Sequence, residues 1–337
     1  MIEVDGSFGE GGGQILRSSV AFSALTGKPV RISKIRAGRT NPGLMPQHLK
    51  ALEAALQLCN GEATGLEAGS MEVCFTPGDI MGGRLDVDVG TAGSVTLVLQ
   101  CILPIALHAD GRVELELSGG TDVNWSPSAD YFHHAFKPLM ERMGCEVEFD
   151  VLERGFYPRG GGRISVRVRP WKNRRLLDLM EPGELLGVDV YSVASDQLRE
   201  RDVAGRQVKG FLKMVSPHHD VSGIHREYVG SQSVGSSFTA VAVCENSVKG
   251  VCTLGERGIK AEDVGGKAAD TLLSELANPG PLDVHMVDQI MPYIALAGGR
   301  IRSSALSGHA RANLEVARIF GYPLRFEEGA IFNDVHH

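Results

Sequence analysis

Two stretches at opposite ends of the chain carry side chains whose types and spacing could do chemistry. Near the C-terminus, Ala305-Leu-Ser-Gly-His309-Ala-Arg-Ala-Asn313 sets a histidine just after a Ser-Gly turn, at the expected start of a helix. An asparagine follows one helical turn later, close enough to orient the ring. Neutral imidazole is a nucleophile near pH 7. Its attack on a nucleotide α-phosphate would give a reactive P–N adduct. A histidine there can equally be a helix cap or a packed core residue, and the stretch alone leaves both readings open. Near the N-terminus, Ser7-Phe-Gly-Glu-Gly-Gly-Gly-Gln-Ile-Leu-Arg17 combines glycines with one acid, one amide and one arginine ahead of an apolar helical pattern. Glycine lets the backbone come close to a ligand, and amides at a helix start attract anions. Arg17 can pair with phosphate as a fork. Glu10 fits a bare phosphate site poorly and fits better with a metal ion between it and the phosphates. A plain turn before a core helix remains the alternative. No Gly-Lys-Ser/Thr follows, so this is not a Walker A loop.

A third stretch, Arg36-Ala-Gly-Arg39-Thr-Asn-Pro-Gly-Leu-Met-Pro-Gln47-His48, is dense in cations and turn formers. With Arg17, Arg31 and Lys34 it makes a local positive cluster, able to grip one phosphate end although the chain as a whole carries a formal charge of −7. That overall charge argues against wrapping long nucleic acid, which needs a basic face.

The elements that must position these residues read as a succession of short α/β units. A strand at residues 2–4 enters the glycine loop, a helix runs to about Leu25, a strand covers 29–35, and Pro46 opens a helix to about Cys59. After strands near 71–75 and 84–89, a second glycine loop, Gly90-Thr-Ala-Gly93-Ser, precedes a buried helix at 95–108 carrying Gln100. A strand at 112–118, a helix at 129–143 and strands at 146–151 and 163–169 complete this unit. A third unit follows, with helices at 285–297 and from about His309 to Phe320, and strands at 300–303 and 324–326. Three such rounds suggest an internal repeat. Between the second and third rounds lies a stretch with its own strands and helices, bounded by Glu181-Pro-Gly183 and Asn278-Pro-Gly280. The expected division is a large unit of residues 1–184 plus 279–337 and a smaller inserted α/β domain at 185–278.

The 337 residues, 43% hydrophobic and 22% charged, describe a globular chain long enough for roughly two domains. No apolar run is clean enough to span a bilayer, and the N-terminus lacks the pattern of a secretory signal. Six cysteines without CxxC spacing fit reduced core thiols in the cytoplasm.

Taken in order, the motifs resemble the RNA 3′-terminal phosphate cyclase family over nearly the whole chain. They are Asp5-Gly-x-x-Gly-Glu-Gly-Gly-Gly-Gln-Ile-Leu-Arg17, Ile35-Arg-Ala-Gly-Arg-x-x-Pro-Gly-Leu44 with Gln47-His48, and Gly93-Ser-x-Thr-Leu-Val-Leu-Gln100. Ser118-Gly-Gly-Thr-Asp122, Gly155-Phe-Tyr-Pro-x-Gly-Gly-Gly162, Asp288-Gln289 and His309-x-x-x-Asn313 follow. The resemblance implies an ATP-dependent ligase-class enzyme acting on RNA with a 3′-terminal phosphate. His309 would take AMP from ATP, releasing pyrophosphate, and pass it to the RNA 3′-phosphate. The 2′-hydroxyl would then displace AMP, leaving a 2′,3′-cyclic phosphate.

The implied fold is three repeats resembling the C-terminal domain of a bacterial translation initiation factor, plus a small inserted α/β domain. Residue by residue, Glu10 matches a ligand of Mg²⁺ or Mn²⁺, and Arg17, Arg36, Arg39, Gln47 and His48 match the phosphate and RNA-end cluster. Gln100, Pro127 and the segment His285, Met286, Val287, Asp288 and Gln289 match the ATP site. Two positions depart from the family pattern: Ala312 stands where many members have threonine, and His285 where an aromatic residue is frequent. No membrane or obligate protein partner is implied. A non-catalytic RNA-binding relative would lack His309, and an enolpyruvyl transferase would need no adenylylated histidine.

Overall fold

The structure, a computed structural model, describes residues 1–9 and 11–333. The chain opens with β1 (Ile2–Asp5), α1 (Gly13–Thr26), β2 (Val30–Ser33), α2 (Pro46–Leu58), β3 (Glu62–Thr64) and β4 (Val73–Thr76). β1 and β2 are parallel, with Ile2 opposite Val30, and β4 lies antiparallel between β2 and β3. The sheet order is therefore β1-β2-β4-β3.

The next round is β5 (Gly83–Asp88), α3 (Val95–Ala106), β6 (Val113–Gly119), the short α4 (Ala129–Tyr131), α5 (Lys137–Arg142), β7 (Val147–Glu153) and β8 (Gly162–Val168). Its sheet runs β5-β6-β8-β7, again parallel, antiparallel, antiparallel. The sequence Val-Glu-Leu-Glu-Leu-Ser-Gly of β6 alternates, and the apolar members are the buried ones. The single helix expected over 129–143 is interrupted by a π-helical turn at Phe132–Phe136. That turn seats Phe132 and Phe136 in the core, with ring centroids 5.4 Å apart.

A third sheet joins β9 (Leu177–Leu179) to elements more than a hundred residues away. Between them lie β10 (Leu185–Ser195), α6 (Val203–Val215), β11 (Val221–Val229), β12 (Ser236–Cys244), β13 (Val248–Leu254) and α7 (Ala261–Ala277). These intervening strands form their own sheet, ordered β11-β10-β12-β13. α6 and α7 cover it through an apolar cluster that includes Val188, Phe211, Phe238 and Leu272. The chain then continues as α8 (Val284–Ala297), β14 (Gly299–Arg302), α9 (Gly308–Ile319), β15 (Arg325–Glu327) and β16 (Ala330–Asn333). The sheet order β15-β16-β14-β9 repeats the arrangement of the first two, with β9 and β14 parallel.

Three of the four sheets thus share one strand order, and α1, α3 and α8 each come between the two parallel strands of their own sheet. These helices pack against one another or against a shared neighbour: α1 on α3 and α9, α8 on α9, and α3 on α8. α3 is apolar on nearly every side, as a helix enclosed by others must be.

Four strands were not read from the sequence: β3, β9, β11 and β16. β3 and β9 are three residues long, too short to display a period. β11 is an edge strand with most of its side chains exposed, so it carries no apolar alternation. Among the described residues no helix is long and apolar enough to cross a membrane. All six cysteines are free.

Candidate active site

The N-terminus of α1 is the meeting point. Its cap residue is Gly12, in extended conformation and with no side-chain cap. Gly9 and Gly11, at φ +61° and +56°, turn the chain into it. A Cβ on Gly12 would lie 3.3 Å from the Cε1 of His309 and 3.3 Å from a terminal guanidinium nitrogen of Arg39. A Cβ on Gly13 would lie 2.3 Å from His48 Nε2 and 3.1 Å from a guanidinium nitrogen of Arg17. Only glycine fits at Gly13. The two glycines therefore let four functional side chains from α1, α2, α9 and the 36–44 loop converge on one helix start.

His48 sits at the third position of α2. Its Nδ1 accepts the backbone N–H of Met45 at 3.1 Å. Burial, reinforced by Arg17 and Arg36, pulls its pKa down to about 3. The ring is therefore neutral at physiological pH. Since Nδ1 accepts, the proton lies on Nε2, facing the glycine loop as a donor. Arg17 is buried, and burial lowers its pKa to about 10, which leaves it charged at pH 7. One terminal nitrogen donates to Gln14 Oε1 at 2.6 Å, and Nε finds no partner.

The local positive cluster divides in three dimensions. Arg31 pairs with Glu72 and Glu3, and Lys34 pairs with Asp5, all at exposed positions. These two cations belong to the surface of the first sheet. Arg36 donates to the carbonyls of Asn41 and Gly43 and so braces its own loop. Arg39 is exposed at the loop tip and reaches Gly12. Gln47 reaches across to the second glycine loop, accepting the N–H of Ser94 at 3.1 Å.

α9 begins at the Ser307 cap, whose hydroxyl accepts the Ala310 N–H, so His309 lies in the first turn as expected. Asn313, one turn further on, bonds to two other helices. Its side-chain oxygen accepts from Ser18 Oγ at 2.6 Å and Gln14 Nε2 at 3.1 Å, and its nitrogen donates to the carbonyl of Asp288 at 2.7 Å. It ties α9 to α1 and α8, fixing where His309 stands. Ala312 is buried, its Cβ 3.9 Å from the place a Cβ on Gly9 would take.

On the far side, Gln100 Nε2 donates to Gln289 Oε1 at 2.9 Å, and Gln289 Nε2 donates to the His285 carbonyl. Pro127 presents its carbonyl to Thr96 Oγ1 at 2.8 Å, which holds the 120–128 loop against α3. Met286 and Val287 point into the apolar core and shape the segment from behind. His285 is exposed at the start of α8, beside the Asp283 cap.

Sequence reasoning gave no role to Ser18 or Gln14, which link the helices. The signal was present: Ser18, Gln100 and Gln289 each occupy the sixth residue of α1, α3 and α8. A polar residue recurring at one depth in otherwise apolar helices marks a polar seam through the core. Glu10 lies outside the described residues. Among the described residues no group of three or more His, Cys, Asp or Glu stands close enough to hold a metal ion.

A sequence model of the family described as RNA 3′-terminal phosphate cyclase matches residues 8–325. The chain belongs to the RNA 3′-terminal phosphate cyclase family. It is similar to the RNA 3′-terminal phosphate cyclase of Archaeoglobus fulgidus, 42% identical over 334 residues that cover 98% of this chain and 99% of that one. The Pyrococcus furiosus cyclase is 42% identical over 320 residues, covering 95% and 93%. That of Nitrosospira multiformis is 40% identical over 332 residues, covering 97% and 93%. This family membership makes the chain a cyclase-type enzyme.

Proposed function

We propose that the chain uses ATP to convert an RNA 3′-terminal phosphate to a 2′,3′-cyclic phosphodiester through an AMP adduct on His309. A ring nitrogen of His309 attacks the α-phosphorus of ATP, the bond to the β-phosphate oxygen breaks, and pyrophosphate leaves. An oxygen of the RNA 3′-phosphate then attacks the adenylyl phosphorus and the imidazole departs. Finally the 2′-hydroxyl oxygen attacks the 3′-phosphorus, AMP leaves, and the hydroxyl proton passes to solvent.

The observation that supports this most is the convergence of His309, Arg39, His48 and Arg17 on the uncapped start of α1. Arg17 and Arg39 would stabilise charge building up on the transferring phosphoryl groups, and the Nε2–H of His48 would donate to one of their oxygens. Arg36 holds the loop that carries Arg39, and Gln47 would position the RNA end. The Gln100–Gln289 pair, Pro127 and the segment from His285 to Asp288 would form the nucleoside side of the ATP site. Glu10 with phosphate oxygens would hold Mg²⁺ or Mn²⁺, which offsets phosphate charge when bound.

The same reading takes the three like-ordered sheets as three repeats of the initiation-factor C-terminal type. It takes 1–184 plus 279–337 as the large domain and 185–278 as an insert. The shared strand order and the separate apolar cluster around Phe211 and Phe238 support it. A cytoplasmic setting fits the free thiols.

The test is incubation with ATP labelled at the α-phosphate and Mg²⁺, followed by a denaturing gel. Acid-labile label is expected on the native protein and none on His309→Ala. A folded, ATP-binding native protein that takes no label would overturn the mechanism.

A further inference from the structure

Two large aromatic side chains on neighbouring loops are turned into solvent. Trp125 is 98% exposed and Tyr157 73%. A parallel bridge between Asp122 and Phe156 joins the two loops that carry them. The N–H groups of Thr121 and Asp122 both donate to the Gly155 carbonyl, and the N–H of Gly155 returns to Thr121 Oγ1. Beneath lies the buried Arg154, donating to Asp130 at 2.7 Å and to Asp122 at 3.3 Å. Phe156, next to Tyr157, is buried against Gly235, where a Cβ would lie only 2.3 Å from the ring. Trp125 itself takes φ +64°, a left-handed conformation that costs a non-glycine residue about 1–2 kcal/mol. The backbone below the indole is tied to the neighbouring loop through Thr121, Asp122 and Gly155.

The platform adjoins the candidate active site. A Cβ on Gly160 would lie 2.6 Å from the Thr91 carbonyl, so the Tyr157 loop rests on the 90–94 glycine loop. That loop is the one gripped by Gln47 through Ser94. On its other flank, Pro127 follows Trp125 by two residues and is fixed to α3 by Thr96. Next to the rings in the chain stand Asn124, Ser126 and the exposed Arg159. Bare π-faces with a cation beside them suit unstacked bases and their phosphates.

We propose that Trp125 and Tyr157, with Arg159, form a stacking subsite for the RNA nucleotides just upstream of the 3′-phosphate. This rests on the reading of the adjoining site as the RNA-end pocket. The subsite places the strand through base faces, so it is tolerant of sequence and adds nothing to the adenylylation step.

The test uses the full chain with Trp125→Ala, Tyr157→Ala and the double variant. Cyclisation is measured on a ten-nucleotide and a two-nucleotide RNA, both 3′-phosphorylated, and adenylylation is measured without RNA. The expected result is a KM for the longer RNA raised roughly 10-fold or more per ring removed. kcat, the two-nucleotide KM and the yield of adenylylated protein should stay within a factor of about 3. Tryptophan emission gives an independent readout. The chain has two tryptophans, and Trp171 is buried. The ten-nucleotide RNA should quench the native protein's emission and leave that of Trp125→Ala unchanged. Equal losses on both RNA lengths, an unaltered KM for the longer one, or no quenching overturns the subsite. If the native protein takes no AMP and cyclises neither RNA, the proposed reaction fails, and the quenching comparison alone decides whether the platform holds RNA.

Discussion

α1, α3 and α8 occupy the same place in three like-ordered sheets, yet they begin differently. α3 starts at Ser94, whose hydroxyl accepts the Leu97 N–H. α8 starts at Asp283, whose carboxylate accepts the N–H groups of His285 and Met286, the hydroxyl of Tyr131 and the N–H of Gly250. α1 starts at Gly12, which has no side chain to offer. Two of the three helix starts are closed by their own residues. The third has no side-chain cap among the described residues, and around it stand two arginines, a neutral histidine donor and His309. On the proposed mechanism one architecture serves stability twice and chemistry once, and the difference lies in the cap residue.

The sharpest way to break this contrast is Arg17→Met. Arg17 is buried with an unpartnered Nε, and its lowered pKa reports that its charge is poorly compensated before ligand arrives. Cyclisation should fall roughly 10²–10³-fold, the cost of losing one pre-placed donor to developing charge. The rise in Tm on adding ATP should vanish, while the ligand-free Tm should hold or rise, because an apolar side chain replaces a buried charge. A ligand-free Tm well below that of the native protein would make Arg17 a structural residue and end the contrast.

The closed starts should show the opposite signature. Asp283→Ala strips a buried cap of four donors and should cost about 2–4 kcal/mol of stability by denaturant unfolding. Its adenylylation per folded molecule should fall far less than that of Arg17→Met.

Acid separates the regions next. The pKa of His48 is near 3 in the folded chain and near 6.5 unfolded, so its contribution is whole above pH 6.5 and is lost as pH falls toward 3. Native stability should drop about 1.4 kcal/mol per pH unit more steeply than that of His48→Gln between pH 6 and 4. Parallel slopes would mean that His48 is not held neutral. The smallest effect belongs to Ser94→Ala, about 1 kcal/mol in stability, with adenylylation unchanged.

Much of this was legible in the residues. The glycine runs, Pro46 and the Ser-Gly turn before His309 locate α1, α2 and α9 because each sets a local backbone requirement. The alternation of Val113, Leu115 and Leu117 locates β6 for the same reason. What stayed hidden depends on partners far along the chain. β9 is a strand only because β14 lies beside it, and a three-residue segment has no period to betray it. Arg31 and Arg17 look alike in the sequence, yet one is a surface ion pair and the other a buried fork, since sheet and helix carry them in different directions. The bracing role of Asn313 needed α1 and α8 to be in place before its three hydrogen bonds could be seen.

Asn313 bonds to Gln14 and Ser18 across 299 and 295 residues of chain. Loops of that span close late, because the entropy of bringing the ends together must be met before any contact repays it. During synthesis the earlier sheets have their partners long before α9 leaves the ribosome. Competence for the proposed adenylylation should therefore be the last property the molecule acquires, trailing compactness and helix content in any refolding experiment.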